Sequence, residues 1–204
     1  MDERTRALVE LSSAIARGAR GEWRERIVAA QDVASPEEIE ETILQSYLFL
    51  GFPTALQALG VWRDLSGEVA SVEANGKLAD WQERGERICA IVYGGQYGRL
   101  RENITKLHPD VETWMLTEGY GKVLARPGLD LKTRELCIIA LLASQDAPHQ
   151  LHSHLRGALN AGATTAEVDG AVVTVLRSLA PAHADVARQL WNEVRSRKTQ
   201  EKES

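Results

Sequence analysis

The residues best suited to chemistry in this chain are crowded into one stretch, where Arg134 and Glu135 are followed by His149, His152, His154 and Arg156. An imidazole exchanges protons near neutral pH, and a carboxylate beside it fixes its orientation, so a Glu/His pair is suited to general acid–base work. A guanidinium matches a carboxylate in a two-pronged hydrogen bond, which makes Arg134 and Arg156 candidates for holding an anionic substrate. Each residue also has a plainer reading. A glutamate in a first helical turn is favoured by the helix dipole, a lone histidine on an apolar face is usually a hydrogen-bonded core residue, and either arginine serves equally well in a structural ion pair.

The elements that must position these groups are helices. Leu136 to Ala143 reads LCIIALLA, apolar on every side, which for a helix means burial all round. Asp130 is placed to cap it after the turn residues Pro127 and Gly128. The next helix is expected to start at an Asp146 cap with Pro148 in its first turn and to end at Gly162. At 100° per residue, Leu151, Leu155, Ala158 and Leu159 form its apolar face, and His154 lies inside that stripe. His149 and His152 project onto the exposed flank. With Glu135 in the first turn of the preceding helix, an antiparallel pair brings its carboxylate to the imidazole. The expectation is a Glu135–His154 contact, direct or through one water, facing a partly closed pocket. A zinc site from His149, His152 and His154 is not expected, because His154 diverges from the other two and no fourth ligand is suggested.

The runs RPGLDLKTREL and HSHLRGALNAG resemble the carboxymuconolactone decarboxylase family, whose relatives include the AhpD-type alkylhydroperoxidases; the resemblance covers residues 80–191 well. It implies an all-α, AhpD-like fold and a homo-oligomer. In the peroxidase branch it implies a glutamate, a Cys-x-x-Cys pair enclosing a histidine, and a second histidine four residues after the last cysteine. Glu135, His149 and His154 stand at the matching places, whereas Ala147 and Gln150 occupy the cysteine positions. A thiol peroxidase needs a thiolate and a resolving thiol there, so the chain resembles the decarboxylase branch instead. That branch implies a lyase that uses no metal or organic cofactor and removes CO2 from a carboxylated unsaturated lactone or related small carboxylate. Within it His154 is the proton donor, Glu135 its orienting partner, His149 a third catalytic candidate, and Arg134 and Arg156 the substrate-carboxylate clamps. An AhpD-like peroxidase and a catalytically silent helical oligomer are the competing readings.

The remainder of the chain sets the bounds. With 44% hydrophobic and 26% charged residues, a net charge of −5 and a pI near 5.6, it gives no electrostatic reason to bind nucleic acid or an anionic membrane. Residues 1–20 alternate in charge where a signal peptide would be apolar, and no run approaches the roughly 18 apolar residues of a membrane span, so the expected location is cytoplasmic. Cys89 and Cys137 follow hydrophobic periodicity and are expected to be buried free thiols.

Residues 5–59 laid against 133–188 suggest a diverged tandem repeat: Thr5-Arg6-x-Leu8 matches Thr133-Arg134-x-Leu136, and the capping box at Ser35 matches that at Thr164. The first copy has Ala7, Gly21 and Arg26 where the second has Glu135, His149 and His154. The organisation read from this is a structural half at 1–75 packing on its twin about a pseudo-two-fold axis, a decarboxylase-like helical domain at 76–193, and a solvated tail at 194–204, with the boundary at Ser71–Gly76. Helices are expected over 78–93 and 109–124, and a flexible turn at Tyr93–Gly98. The apolar run Tyr47–Pro53 exceeds what a small half buries alone, which again points to an oligomer.

Overall fold

The computed structural model describes residues 1–18, 20–67 and 76–203, and the described residues contain helices and no strand. The first half holds α1 (Glu3–Ala16), α2 (Arg20–Gln31), α3 (Pro36–Gln45) and α4 (Tyr47–Ser66); α5 (Leu78–Tyr93) and α6 (Tyr97–Leu107) follow, joined by a 3-10 turn at Gly94–Gln96. Next come α7 (Pro109–Trp114), running directly into a π-helix (Met115–Leu124), then α8 (Leu131–Ser144), α9 (Pro148–Asn160), α10 (Thr165–Leu176) and α11 (Pro181–Glu203). Among the described residues no helix is long and apolar enough to cross a membrane.

Helix α8 is the centre of the fold, as its sequence requires: every residue from Thr133 to Ala143 is buried. Its surroundings are α1, α9 and α10, and α9 is in turn covered by α5 and α11. Leu8, Leu11 and Ile15 of α1 meet Leu136, Ile138 and Ile139 of α8 in one continuous core. Helices α1 and α8 open alike. Asp2 accepts from the Thr5 amide at 2.7 Å and Asp130 from the Thr133 amide at 2.9 Å, each satisfying a donor that helix geometry leaves unpaired. Capping boxes at Ser35 and Thr164 begin α3 and α10. The boundary read at Ser71–Gly76 lies, Gly76 apart, outside the described residues.

Several local expectations are corrected. Asp146 does not cap α9: its backbone takes φ 51°, Ala147 holds the cap position without a side-chain bond, and the Asp146 carboxylate lies 3.7 Å from His183. In place of a flexible turn at Tyr93–Gly98, Tyr93 ends α5, Gly94–Gln96 form the 3-10 turn and Tyr97 and Gly98 start α6. The charged C-terminal stretch continues α11 to Glu203. The run Tyr47–Pro53 is broken at Gly51, where φ is 75° and ψ is 166°, so Tyr47–Leu50 form a separate turn folded over the core. Of that run's aromatic side chains Phe52 is left well exposed, and its ring stacks on Tyr47 at 5.0 Å.

Helix α5 and the π-helix touch backbone to backbone. A Cβ added at Gly85 would lie 1.9 Å from the Leu116 carbonyl oxygen, and one at Gly121 would lie 1.8 Å from that of Trp81. Only hydrogen fits between such partners, and neither carbonyl belongs to a flexible side chain that can turn aside. Gly121→Ala is therefore expected to cost about 3 kcal/mol, the upper end of overpacking penalties. For a chain of this size that lowers the melting midpoint by several degrees, on the order of 2–4 °C per kcal/mol. In a thermal melt Gly98→Ala, at a helical position with open space around it, should leave the midpoint unchanged or slightly raised.

Candidate active site

Glu135 and His154 meet directly. The His154 Nδ1 lies 2.8 Å from Glu135 Oε2, with the glutamate 0% and the histidine 6% exposed. The second turn of α8, one later than expected from the sequence, supplies the carboxylate, and the middle of α9 supplies the imidazole. The other carboxylate oxygen, Oε1, is buried and has no hydrogen-bond partner. The imidazole N–H is thus the group that compensates this buried carboxylate. A histidine that donates from Nδ1 keeps Nε2 for a reactant, as base when neutral and as acid when protonated.

A glycine makes the contact possible. A Cβ at position 157, one turn after His154 on α9, would lie 2.6 Å from Glu135 Oε2 and 2.7 Å from Val92 Cγ1. Its missing side chain gives the carboxylate its room. Two rings fix the imidazole plane from the sides: Phe49 at 6.0 Å and Tyr93 at 6.4 Å between centroids, both edge-on.

His154 opens onto a cavity of about 410 Å³ whose walls come from both halves of the chain. Tyr47, Leu48 and Phe49 enter from the turn before Gly51, Tyr93 from α5, and Met115 and Tyr120 from the π-helix. Tyr93 and Tyr120 pack edge to face at 6.2 Å. Burial pushes the Tyr93 hydroxyl up to about 12 and that of Tyr120 well above its ordinary value, with the Glu135 carboxylate adding to both shifts. Both phenols are therefore neutral at physiological pH. The carboxylate lining the cavity, Glu118, is exposed and pairs with Lys122 at 3.8 Å.

The remaining candidates lie elsewhere. Arg134 cannot hold a substrate: it is 0% exposed, and its guanidinium donates to Glu41 at 2.7 Å, to Gln45, and to the carbonyls of Leu129, Arg126 and Pro127. Glu41 also takes Arg126 at 2.8 Å, so the three charges bolt α3 to the turn that enters α8. His149 is exposed and lines a different cavity with His152 and Arg156, one that shares Tyr93 with the cavity at His154. Neither His149 nor Arg156 belongs to the cavity that the dyad faces. The residues that sequence reasoning missed are Phe49, Tyr93, Tyr120 and Gly157. Gly157 alone carried a visible signal, as the glycine inside the LRGALN run.

Both cysteines are buried and free. Burial raises each thiol to about 12, far from the thiolate that peroxide reduction requires. Among the described residues no group of three or more histidine, cysteine, aspartate or glutamate side chains is placed to hold a metal ion.

A test of the geometry is Gly157→Ala. The added methyl must displace Glu135 Oε2 or Val92, and the expected loss of stability is about 1–3 kcal/mol in urea denaturation. The strongly hydrogen-bonded Nδ1 proton of His154 should disappear from its downfield NMR position. An unchanged midpoint with an unchanged proton resonance would show that α9 yields instead.

Comparison with known proteins adds family to this geometry. Residues 109–191 match the model of the carboxymuconolactone decarboxylase family. The nitrosuccinic acid decarboxylase of Metarhizium robertsii is 34% identical over 53% of this chain and 75% of its own length. The 4-carboxymuconolactone decarboxylase of Acinetobacter baylyi is 34% identical over 42% of this chain and 65% of its own. Peroxisomal protein 2 of Schizosaccharomyces pombe is 30% identical over 64% of this chain and 63% of its own, so the chain spans less than two thirds of two of these three relatives.

Proposed function

The chain belongs to the carboxymuconolactone decarboxylase family, and from that premise we propose that it is a carboxy-lyase acting on a small carboxylate whose departing electron pair enters a conjugated acceptor. The observation that carries the reading is the 2.8 Å Glu135–His154 bond beside an apolar, aromatic-walled cavity. The two decarboxylase relatives are named for substrates of this kind. In nitrosuccinic acid the acceptor is a nitro group; in carboxymuconolactone it is an unsaturated lactone.

The chemistry balances without a redox partner. The bond between the substrate carbon and its carboxylate breaks, CO2 leaves, and the electron pair passes into the acceptor. A proton from His154 Nε2 then forms the new C–H bond, and solvent returns a proton to the imidazole. Glu135 holds the ring in place and stabilises its protonated form before transfer. The neutral Tyr93 hydroxyl on the same wall is a donor for the developing oxyanion. An apolar wall opposes the localised charge of the bound carboxylate more than the spread charge of the transition state, which favours bond cleavage. This placement assigns the substrate no arginine clamp, since Arg134 is saturated and Arg156 lines the other cavity.

The test is release of CO2 from nitrosuccinate and from carboxymuconolactone, followed against defined variants. His154→Ala should reduce turnover by about 10²–10⁴-fold, the usual contribution of a positioned proton donor. It also strands the Glu135 charge at a cost of about 3–5 kcal/mol, so its helical circular-dichroism signal must be checked. Glu135→Gln removes that charge and keeps an acceptor for Nδ1; it should fold and turn over more slowly than wild type. Wild-type turnover of both compounds by the Glu135→Gln protein would remove the dyad from the chemistry. Cys89→Ser with Cys137→Ser addresses the peroxidase alternative: loss of a thiol-dependent peroxidase activity in that protein would replace the lyase reading.

A further inference from the structure

Sharing Tyr93 with the dyad cavity is a second concavity, of about 490 Å³, lined by Arg99 of α6, Gln96 and Asn103 nearby, and His149, His152 and Arg156 of α9. Among the described residues no aspartate or glutamate lines it. Neither Arg99 nor Arg156 makes an ion pair or hydrogen bond to another described side chain, in contrast to Arg134, Arg126 and Arg101, each of which has a carboxylate partner. Two guanidinium groups without partners that converge on one hollow, with two imidazoles between them, form an arrangement that repels itself until an anion arrives. The field is felt locally. His152 is held below its ordinary value first by burial and then by Arg156 and Arg197, while Glu193 of α11, which opposes them, lies outside the lining. Arg156 is shared with an adjoining hollow that also carries Arg197 and Lys198, which extends the positive surface toward α11.

We propose that this hollow binds a compact anion of charge two or more, bearing phosphate or several carboxylates, at a site separate from the dyad cavity. Arg99 and Arg156 supply charge-assisted hydrogen bonds from two different helices, and His149 and His152 supply ring N–H donors. The mixed floor of Val92, Tyr93 and Leu100 admits a small apolar skeleton between the charged ends. Tyr93 is the wall common to both cavities, so occupancy of the second site acts on the first through this one side chain.

The experiment is isothermal titration of the full chain at low ionic strength with sodium pyrophosphate in one arm and citrate in the other. Saturable binding of either is expected, weakening as salt rises because the anion competes with bulk ions. Arg156→Ala should weaken it about tenfold, the effect of losing one charge-assisted hydrogen bond. The Arg99→Ala, Arg156→Ala double variant should abolish it, and circular dichroism should show its helices intact. Preference for pyrophosphate or for citrate identifies the natural ligand as a phosphate or a polycarboxylate. Glu135→Gln, which leaves no stranded charge, should bind as wild type does, which keeps this result distinct from the outcome of the decarboxylation assay. Absence of saturable binding in both arms, equal affinity in the double variant, or loss of binding in Glu135→Gln would each overturn the proposal.

Discussion

A buried carboxylate with one hydrogen-bond donor dictates most of this architecture. Taking a carboxylate out of water costs several kcal/mol, even after relaxation, and the cost is tolerable only where partners are well placed. Glu135 has the His154 N–H on one oxygen and no partner on the other. Its position must therefore be held by everything around it: the apolar bulk of α8, the absent side chain at Gly157, and the two rings that keep the imidazole from turning. The glycine contact between α5 and the π-helix belongs to the same design, because it sets where Tyr93 and Tyr120 stand.

Charge is sorted by cavity. The dyad cavity is walled by aromatic and aliphatic side chains, and the carboxylate on its lining is already paired, whereas the guanidinium groups collect in the cavity that shares Tyr93 with it. Such separation makes physical sense for a reaction that disperses charge. A strong cation beside the leaving carboxylate would stabilise the ground state at least as much as the transition state and would add nothing to the rate.

Much of this was legible in the sequence because helices announce themselves through periodicity. The all-round apolarity of LCIIALLA identified α8 as central, and the 100° projection turned His154 inward and His149 outward, as observed. The helices read over 78–93 and 109–124 are also present, the second divided between α7 and the π-helix. What could not be read were long-range pairings. Nothing local distinguishes Arg134, bound to a glutamate on α3, from an arginine awaiting substrate, and the Glu41 partner lies 93 positions away. Asp146 looked like a cap because aspartate is a favoured capping residue and a proline follows within the first turn; here its backbone enters the left-handed region, and Ala147 takes the cap position before Pro148. The walls of the cavity were invisible for a related reason. Phe49, Tyr93 and Tyr120 come from three separate elements, and no spacing rule connects them.

Arg134 and Glu135 are neighbours in sequence and face different partners across α8. One is locked to α3 through Glu41, the other to α9 through His154. Adjacent positions on a helix point about 100° apart, so the two attachments grip α8 from two directions and together fix its rotation as well as its height. A helix gripped once can swivel; gripped twice at one level, it cannot. The first half of the chain, though it holds neither member of the dyad, thus acts as the torque arm that keeps the carboxylate aimed. Selection on the chemistry would therefore be felt at Glu41, a residue remote in sequence that no substrate need ever touch.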